Sequence, residues 1–224
     1  MTVAVIQFGG SNCDRDTVRA LEHLGIDAHL VWYTDGLPGE TEGVVLPGGF
    51  SYGDYLRAGA MAARAPIMDE VRERVEAGLP LLGICNGCQI GCEAGLTPGA
   101  FTTNDTARFR CEHVHVRVEN ADTPWTAAYD EGDVIELPIA HGEGRFEIAD
   151  DRLAALESDG RVLFRYCEPD GSVTDAANPN GSKGNVAGVL GEDEHVAVLM
   201  PHPERATLPE LGLTDGQGVL DGFA

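Results

Sequence analysis

The sequence predicts an α/β fold, in which a mostly parallel central sheet carries helices on both faces and continues into a more β-rich second half. Three observations support this fold class. Short, continuous apolar runs such as Leu79–Ile84 are bounded by glycine or proline, which is typical of parallel strands buried on both faces. Amphipathic helical segments separate these runs in the first half. From Arg108 to Glu119, apolar and polar residues alternate instead, as in half-buried strands.

The first half of the chain alternates between predicted strands and helices. The opening run, Val3–Phe8, ends at a glycine pair and is predicted to be a buried strand followed by a turn. Ser11 or Asn12 can cap the next helix, which Gly25 ends. Apolar residues on one face mark that helix and a second one that Gly78 ends; they are Val18, Leu21 and Leu24, then Ile67, Val71 and Val75. Further apolar strands are predicted at Val44–Leu46 and Leu79–Ile84.

The second half is predicted to be richer in strands, with one short helix at Asp151–Ser158. After Arg108–Glu119, four more segments combine apolar and β-branched residues in the manner of strands; they are Val134–Ile139, Val162–Cys167, Val186–Leu190 and Val196–Met200. The segment Asn178–Gly184 has the composition of a loop. No internal repeat and no linker with a shift in composition interrupts the sequence, so we expect one domain over residues 1–224.

The charge balance restricts the classes of partner. The 37 Asp and Glu residues outnumber the 15 Lys and Arg residues, and Lys183 is the only lysine, which leaves a net charge of -22. This charge repels phosphate backbones, so we expect no nucleic-acid partner. We interpret the excess of carboxylates and the lack of lysine as adaptation to a salty cytoplasm, that is, to a halophilic source. An ordinary acidic protein is the alternative.

Nothing in the sequence predicts a membrane or secretory protein. No apolar run reaches the roughly 18 residues that a membrane span needs, and no basic segment precedes the opening apolar run as in a signal peptide. We therefore expect a cytoplasmic location, no membrane contact and reduced thiols at the six cysteines, which are Cys13, Cys85, Cys88, Cys92, Cys111 and Cys167.

Cys85 has the sequence context of a nucleophile. It follows the apolar strand that ends at Ile84, and Gly83 and Gly87 stand two positions to either side of it. This pattern matches the strand-to-helix elbow in which a sharp, strained turn exposes a nucleophile above a helix N-terminus. The helix N-terminus favours the thiolate. The N–H of Asn86 is predicted to point to the place where an oxyanion forms.

His202 is the candidate general base. Pro201 and Pro203 bracket this histidine directly after the last predicted strand and restrict its backbone to an extended geometry. Glu204, two residues further on, points to the same side of an extended segment and can hold the tautomer of the imidazole. Taken alone, this motif favours a loop histidine beside a surface carboxylate. Together with Cys85 it predicts a Cys-His-Glu triad.

These segments together resemble the class I (triad) glutamine amidotransferases, whose fold is flavodoxin-like. The resemblance covers nearly the whole chain: Pro47–Asp54 is similar to the family's oxyanion-side loop, Gly83–Gln89 to its elbow and Pro201–Arg205 to its His-x-Glu segment. Three further segments are similar to the glutaminase subunits of phosphoribosylformylglycinamidine synthases. They are His141-Gly142-Glu143-Gly144-Arg145-Phe146, Asn178-Pro179-Asn180-Gly181-Ser182 and Met200-Pro201-His202-Pro203-Glu204-Arg205-Ala206. Generic triad amidotransferases do not carry the first two.

The resemblance implies a role for each site residue. Cys85 would attack the amide of L-glutamine and form a γ-glutamyl thioester, His202 would transfer protons and Glu204 would orient the imidazole. The N–H groups of Gly49 and Asn86 would form the oxyanion hole. The resemblance also assigns substrate contacts to Gln89 and to the segment His141–Arg145, with His141, Gly142, Glu143 and Arg145 as the candidate residues. No metal site is implied.

The resemblance implies partners as well as an activity. The ammonia would pass to a large synthetase subunit, which uses ATP and Mg²⁺ to convert formylglycinamide ribonucleotide to formylglycinamidine ribonucleotide in purine biosynthesis, together with a small third subunit. No cofactor is expected in this chain, which has no Gly-x-x-x-x-Gly-Lys-Ser/Thr phosphate loop. We expect low activity alone and stimulation by the synthetase.

Four alternative interpretations remain at this level. Cys85 and Cys88 could form a redox pair or part of a metal site, although no second Cys-x-x-Cys pair completes a zinc site. His113 and His115 could bind a metal, but Arg117 shares their strand face and disfavours a cation. A γ-glutamyl peptide hydrolase would use the same cysteine and histidine without a synthetase. A non-catalytic scaffold protein would not need the complete triad.

Overall fold

The computed structural model describes residues 1–224 and is built around one nine-stranded sheet. Its first five strands in spatial order are mutually parallel and pair as β2-β1-β3-β4-β11. Their bounds are β1 Thr2–Gln7, β2 Asp27–Trp32, β3 Gly43–Leu46, β4 Leu81–Ile84 and β11 Val196–Leu199. Four of these strands, β1, β3, β4 and β11, are buried along nearly their whole length, as continuous apolar strands under helices must be.

The second half of the chain continues the same sheet in antiparallel fashion. After β11 come β10, β9, β6 and β7, each antiparallel to its neighbour. Their bounds are β6 Arg110–Val118, β7 Val134–His141, β9 Val162–Cys167 and β10 Val186–Leu190. Two short strands, β5 Ala100–Thr102 and β8 Arg145–Glu147, form a separate pair. The predicted α/β class with a β-rich second half is confirmed.

Five α-helices accompany the sheet, and the core lies on both of its faces. They are α1 Asp14–His23, α2 Ile67–Glu76, α3 Asn86–Glu93, α4 Asp150–Ser158 and α5 Gln217–Leu220. One large cluster of buried apolar residues includes Val5 of β1, and another includes Ile6, the next residue along the same strand. Because successive side chains of a strand point to opposite faces, the two clusters cover the two faces. No helix is both long and apolar enough to span a bilayer.

The sheet order decides where the site forms. Strands β4 and β11 are parallel neighbours, with Ile84 opposite Leu199. The segments that follow them therefore leave the sheet at the same edge, where ligand sites of parallel α/β sheets are found. Residues 85 and 202, which are far apart along the chain, are brought together by this one strand pairing.

Candidate active site

Cys85 occupies the turn between β4 and α3, as the elbow pattern predicts. Its φ of 51° and ψ of -104° are a strained conformation for a residue with a side chain, and such strain is typical of functional sites. Cys85 as a whole is only 5% exposed. Both flanking glycines are required, because a Cβ on Gly87 would stand 1.8 Å from the carbonyl oxygen of Leu46 and one on Gly83 would stand 2.7 Å from that of Gly87.

His202 and Glu204 form a buried hydrogen-bonded pair beside this cysteine. Nδ1 of His202 lies 2.6 Å from Oε1 of Glu204, and the two side chains are 1% and 0% exposed. The His202 backbone N–H donates to the carbonyl oxygen of Pro138, which fixes the loop against β7. Nε2 of His202 is buried and has no hydrogen-bond partner. The imidazole is therefore oriented through Nδ1 and keeps Nε2 free for proton transfer.

Charge governs the protonation of His202. Burial lowers the pKa of the imidazole, but the charges of Glu204 and Cys85 and the neighbouring thiols of Cys13 and Cys85 outweigh burial, so the pKa lies well above the ordinary histidine value. No hydrogen bond of standard geometry joins Cys85 to His202; the thiol faces the carbonyl oxygen of Ala140 at 3.8 Å.

Cys85 and His202 line one cavity of about 160 Å³. Gly49, Phe50 and Phe109 complete much of its wall, and the two aromatic rings lie 6.3 Å apart between centroids. A larger cavity of about 440 Å³ beside the start of β11 is lined by neither cysteine nor histidine. The smaller cavity is therefore the one with the chemistry of a nucleophile and a base.

The geometry around the predicted oxyanion hole leaves both N–H groups unused. Asn86 is the first residue of α3, so its N–H has no partner within the helix. The Gly49 N–H makes no backbone hydrogen bond, and Gly49 has a φ of 151° with Ser11 packed against it, where a Cβ would stand 2.7 Å from the Ser11 Cα. The side-chain Oδ1 of Asn86 accepts from the Ser51 N–H at 3.1 Å and so ties the Gly49 loop to the elbow.

The side-chain amide of Gln89, a predicted substrate contact, is hydrogen-bonded to other groups of the protein. Its Oε1 accepts from Nδ2 of Asn86 at 2.9 Å, and its Nε2 donates to the backbone oxygen of Glu143 at 2.7 Å. The Glu143 carboxylate accepts from the Ala58 N–H at 3.4 Å, in the segment that follows the Gly49 loop. Gln89 thus links the elbow to the segment 141–145.

In the segment 141–145, His141 does not have the position that was predicted for a substrate contact. This imidazole is buried, is not among the groups that line the cavity, and packs against Gly144, where a Cβ would stand 2.4 Å from the ring. Burial and then the charge of His202 lower its pKa to about 4, so the ring is neutral. Direct substrate contact by His141 is not supported by this geometry. Gly142 contributes its carbonyl to a hydrogen bond from Asn104, and Arg145 pairs with Glu147 at 2.7 Å.

Two cavity residues were given no role in the sequence analysis. Cys13, just before α1, lines the cavity together with Arg205, and its sulfur accepts from Nη2 of that arginine at 3.1 Å. The ligand atoms of Cys13, His202 and Glu204 lie within 4.8 Å of one another, but the hydrogen bond between the histidine and the glutamate already occupies the atoms that a metal would take. The place of these two residues in the site follows from contacts between segments that are far apart in the sequence.

Cys88, which could have paired with Cys85, is fully buried within the apolar core. Burial raises the pKa of its thiol well above the ordinary value, and burial likewise raises the pKa of the Cys92 thiol to about 12. Both are protonated, whereas metal ligands and redox nucleophiles need the thiolate. The geometry therefore favours Cys88 and Cys92 as packing residues.

Comparisons with known proteins agree with the chemistry of this site. Residues 1–211 match the model of the CobB/CobQ-like glutamine amidotransferase domain. The chain is 75% identical to the phosphoribosylformylglycinamidine synthase subunit PurQ of Natronomonas pharaonis and 73% identical to that of Halobacterium salinarum, with full coverage of both chains in each case. These matches confirm the predicted family and its occurrence in halophilic archaea.

Solved structures extend the comparison to three dimensions. The chain is similar to a chain in the structure of PurLQS from Thermotoga maritima, with a TM-score of 0.87 and 43% identity over 99% of this chain and 96% of that one. A glutamine amidotransferase from Thermotoga maritima has a TM-score of 0.59 at 16% identity, over 100% of this chain and 96% of that one, and shares the fold alone. The chain therefore belongs to the CobB/CobQ-like glutamine amidotransferases and, among them, to the family of the PurQ subunits of phosphoribosylformylglycinamidine synthase.

Proposed function

We propose that this chain hydrolyses L-glutamine at Cys85 and supplies the ammonia to the synthetase subunit of phosphoribosylformylglycinamidine synthase. One observation carries the proposal: a strained, buried cysteine and a buried histidine with a free Nε2 line the same cavity, and Glu204 holds the other ring nitrogen at 2.6 Å. Nucleophile, base and orienting group are the three parts that amide cleavage through a covalent intermediate needs.

The proposed reaction has two halves, and His202 moves the proton in each. Nε2 holds the proton of Cys85 while the sulfur attacks the amide carbonyl and then passes it to the departing ammonia, which leaves a γ-glutamyl thioester. Water next gives a proton to Nε2 and attacks the thioester, and glutamate leaves the sulfur, which restores the starting pair of Cys85 and protonated His202. The N–H groups of Gly49 and Asn86 stabilise the oxyanion in both halves, a contribution of about 100–1,000-fold in rate for each donor.

We place recognition of the α-ammonium group of glutamine at two carboxylates near the cavity, those of Glu143 and Asp54. Burial and then the charge of Glu143 raise the pKa of Asp54 to about 6, so the two carboxylates lie close enough to repel each other. Oδ1 of Asp54 is shielded from solvent and has no partner. A substrate ammonium would reduce the repulsion between the two carboxylates and give Oδ1 of Asp54 a hydrogen-bond partner. Gln89, Gly142 and Arg145 are retained as candidate contacts, whereas His141 would support the loop from within.

The chain is proposed to act together with a synthetase. Relatives over the full length of the chain are named as subunits of one synthase, and the solved relative is PurLQS. The synthetase would bind ATP, Mg²⁺ and formylglycinamide ribonucleotide, and a small third subunit would complete the assembly in the cytoplasm. This chain would bind no cofactor, metal or nucleic acid of its own. Activity would then depend on the assembled complex, since a free glutaminase consumes glutamine without product.

The direct test compares Cys85→Ala with Cys111→Ala in a glutaminase assay, each with and without the synthetase. Cys111 is an exposed thiol on β6 and serves as the matched control. We expect Cys85→Ala to lose at least about 10,000-fold in kcat, in the range measured for other nucleophile deletions, and Cys111→Ala to match the wild type. Ammonia release by Cys85→Ala at the wild-type rate would refute the assigned nucleophile. Equal wild-type turnover with and without the synthetase would refute the proposed coupling.

A further inference from the structure

Asn104 lies in the connection between β5 and β6 and is 2% exposed. Its side-chain amide is fully engaged: Nδ2 donates to the carbonyl oxygens of Arg108 at 2.8 Å and His141 at 3.0 Å, and Oδ1 accepts from the Gly144 N–H at 2.9 Å. Its backbone N–H donates to the carbonyl of Gly142 at 2.9 Å. An asparagine amide has two N–H groups and one oxygen, so all of them are used and the orientation of the amide is fixed.

The two segments that Asn104 joins both adjoin the site. Arg108 precedes Phe109, whose ring lines the cavity with Cys85. The segment 141–144 follows Ala140, which faces the Cys85 thiol, and carries Glu143, whose carbonyl accepts from Gln89 on the helix of the nucleophile. Asn104 itself does not line the cavity. It can therefore act on the reaction only by fixing where these segments stand.

We propose that Asn104 is a positioning residue for glutamine hydrolysis, which holds the segment 141–144 against the segment 108–109 so that the substrate pocket is formed before glutamine binds. The inference rests on the function proposed above and deepens it. Residues 108–109 and 142–144 lie outside the strands, although their neighbours Arg110 and His141 are paired between β6 and β7. Asn104 is the one side chain that bonds to both segments. Without the amide, the segment 141–144 would spend part of the time away from the segment 108–109. The apparent affinity for glutamine would then fall in proportion to the fraction of molecules in which the two segments are held together.

The substitution Asn104→Asp isolates this role, because it keeps the shape and the acceptor for Gly144 but replaces both N–H donors by an oxygen that faces two carbonyls. We expect KM for glutamine to rise about 10–100-fold, as it would if the closed loop fell to about 1–10% of molecules, while kcat changes little. A merely structural defect would instead reduce the amount of active enzyme and lower kcat at constant KM. The measurement uses the complex with the synthetase.

Thiol labelling provides a second readout, which distinguishes a defect in the substrate pocket from a defect in the reactivity of Cys85. Iodoacetamide should alkylate Cys85 of Asn104→Asp at the wild-type rate, whereas an electrophilic glutamine analogue should react about 10–100-fold more slowly. Asn120→Asp is the matched control: Nδ2 of Asn120 also donates to a carbonyl, that of Gly160 at 2.7 Å, but just beyond the far end of β6. It should leave KM and both labelling rates unchanged.

An unchanged KM in Asn104→Asp, or equal slowing with both reagents, would overturn the proposal. If this variant does not fold, Asn104→Ala, which removes all three side-chain hydrogen bonds without adding a charge, replaces it with the same expectation. Failure of both to fold would assign Asn104 to folding and also overturn the proposal. Failure of the proposed function is distinguishable, because glutaminase activity would then be absent from the wild-type complex or would persist in Cys85→Ala.

Discussion

Replacing Glu204 by glutamine tests how much the buried carboxylate contributes to proton transfer. The substitution keeps the shape of the side chain and removes its charge. Nδ1 of His202 and Oε1 of Glu204 are 2.6 Å apart and fully shielded, so solvent does not screen the interaction as it does at a surface ion pair. A hydrogen bond to a charged group contributes about 1.5–3 kcal/mol. At about 1.36 kcal/mol for each factor of ten, kcat should fall by about 10–150-fold.

The pH dependence gives a second, independent signature of the same change. The charges of Glu204 and Cys85 hold the pKa of His202 well above its ordinary value against the effect of burial, so Glu204→Gln should lower it and move the alkaline limb of kcat/KM to lower pH. A raised pKa in the folded state also means that the pair adds stability in full below the ordinary histidine pKa. That stability is lost as pH rises through the folded-state pKa.

The assay is glutaminase turnover of the complex across a pH series, with thermal unfolding of the same samples. Glu157→Gln is the matched control, because Glu157 makes a half-exposed ion pair with Arg165 at 2.5 Å and surface pairs contribute about 0–1 kcal/mol. The control should retain wild-type kcat. Wild-type kcat and an unmoved alkaline limb in Glu204→Gln would show that the carboxylate does not orient or charge the imidazole.

Three further predictions concern the elbow, an acidic residue and the surface. Gly87→Ala should lower the free energy of unfolding by at least about 1–3 kcal/mol in chemical denaturation, because the added Cβ would stand 1.8 Å from the Leu46 oxygen. Gly9→Ala is the control and should not destabilise the fold, because Gly9 has open space around it. Equal denaturation midpoints would disprove the close approach at Gly87. Burial and the charge of Glu143 raise the pKa of Asp54 to about 6, so its ionised form destabilises the folded state. Asp54→Asn should therefore raise the unfolding midpoint only above about pH 4, with the gain complete above about pH 6. A gain that persists at pH 3 would contradict that cause. With a net charge of -22, the thermal midpoint should rise from low to multi-molar KCl, and a flat series would end the interpretation of salt adaptation.

The strands were predictable wherever burial is strong. Val162–Cys167 and Val186–Leu190 have the predicted bounds, and the strand before Cys85 begins two residues later than predicted. The second strand, Asp27–Trp32, had no such signal, because it is the edge strand of the sheet and several of its residues are half-exposed. Strands of three residues, such as Ala100–Thr102, are too short to show a period and arise only from pairing with a distant segment.

The site was predictable where local backbone chemistry defines it. The glycines around Cys85 and the prolines around His202 restrict the backbone at those positions, so the motif implies the geometry. Cys13 and Asn104 have no such local restriction, and their importance comes from hydrogen bonds to residues far along the chain. His141 shows the converse: its segment was recognised, but its side chain is buried against Gly144 and does not line the cavity.

The central claim is that the sulfur of Cys85 becomes acylated by glutamine during turnover. Rapid acid quenching of the complex during steady-state hydrolysis, followed by mass analysis of peptides, tests it most directly. We predict a γ-glutamyl adduct on the peptide that contains Cys85 and no adduct in Cys85→Ala. Sustained hydrolysis with no adduct in any of these samples, or an adduct on another cysteine, would contradict the account.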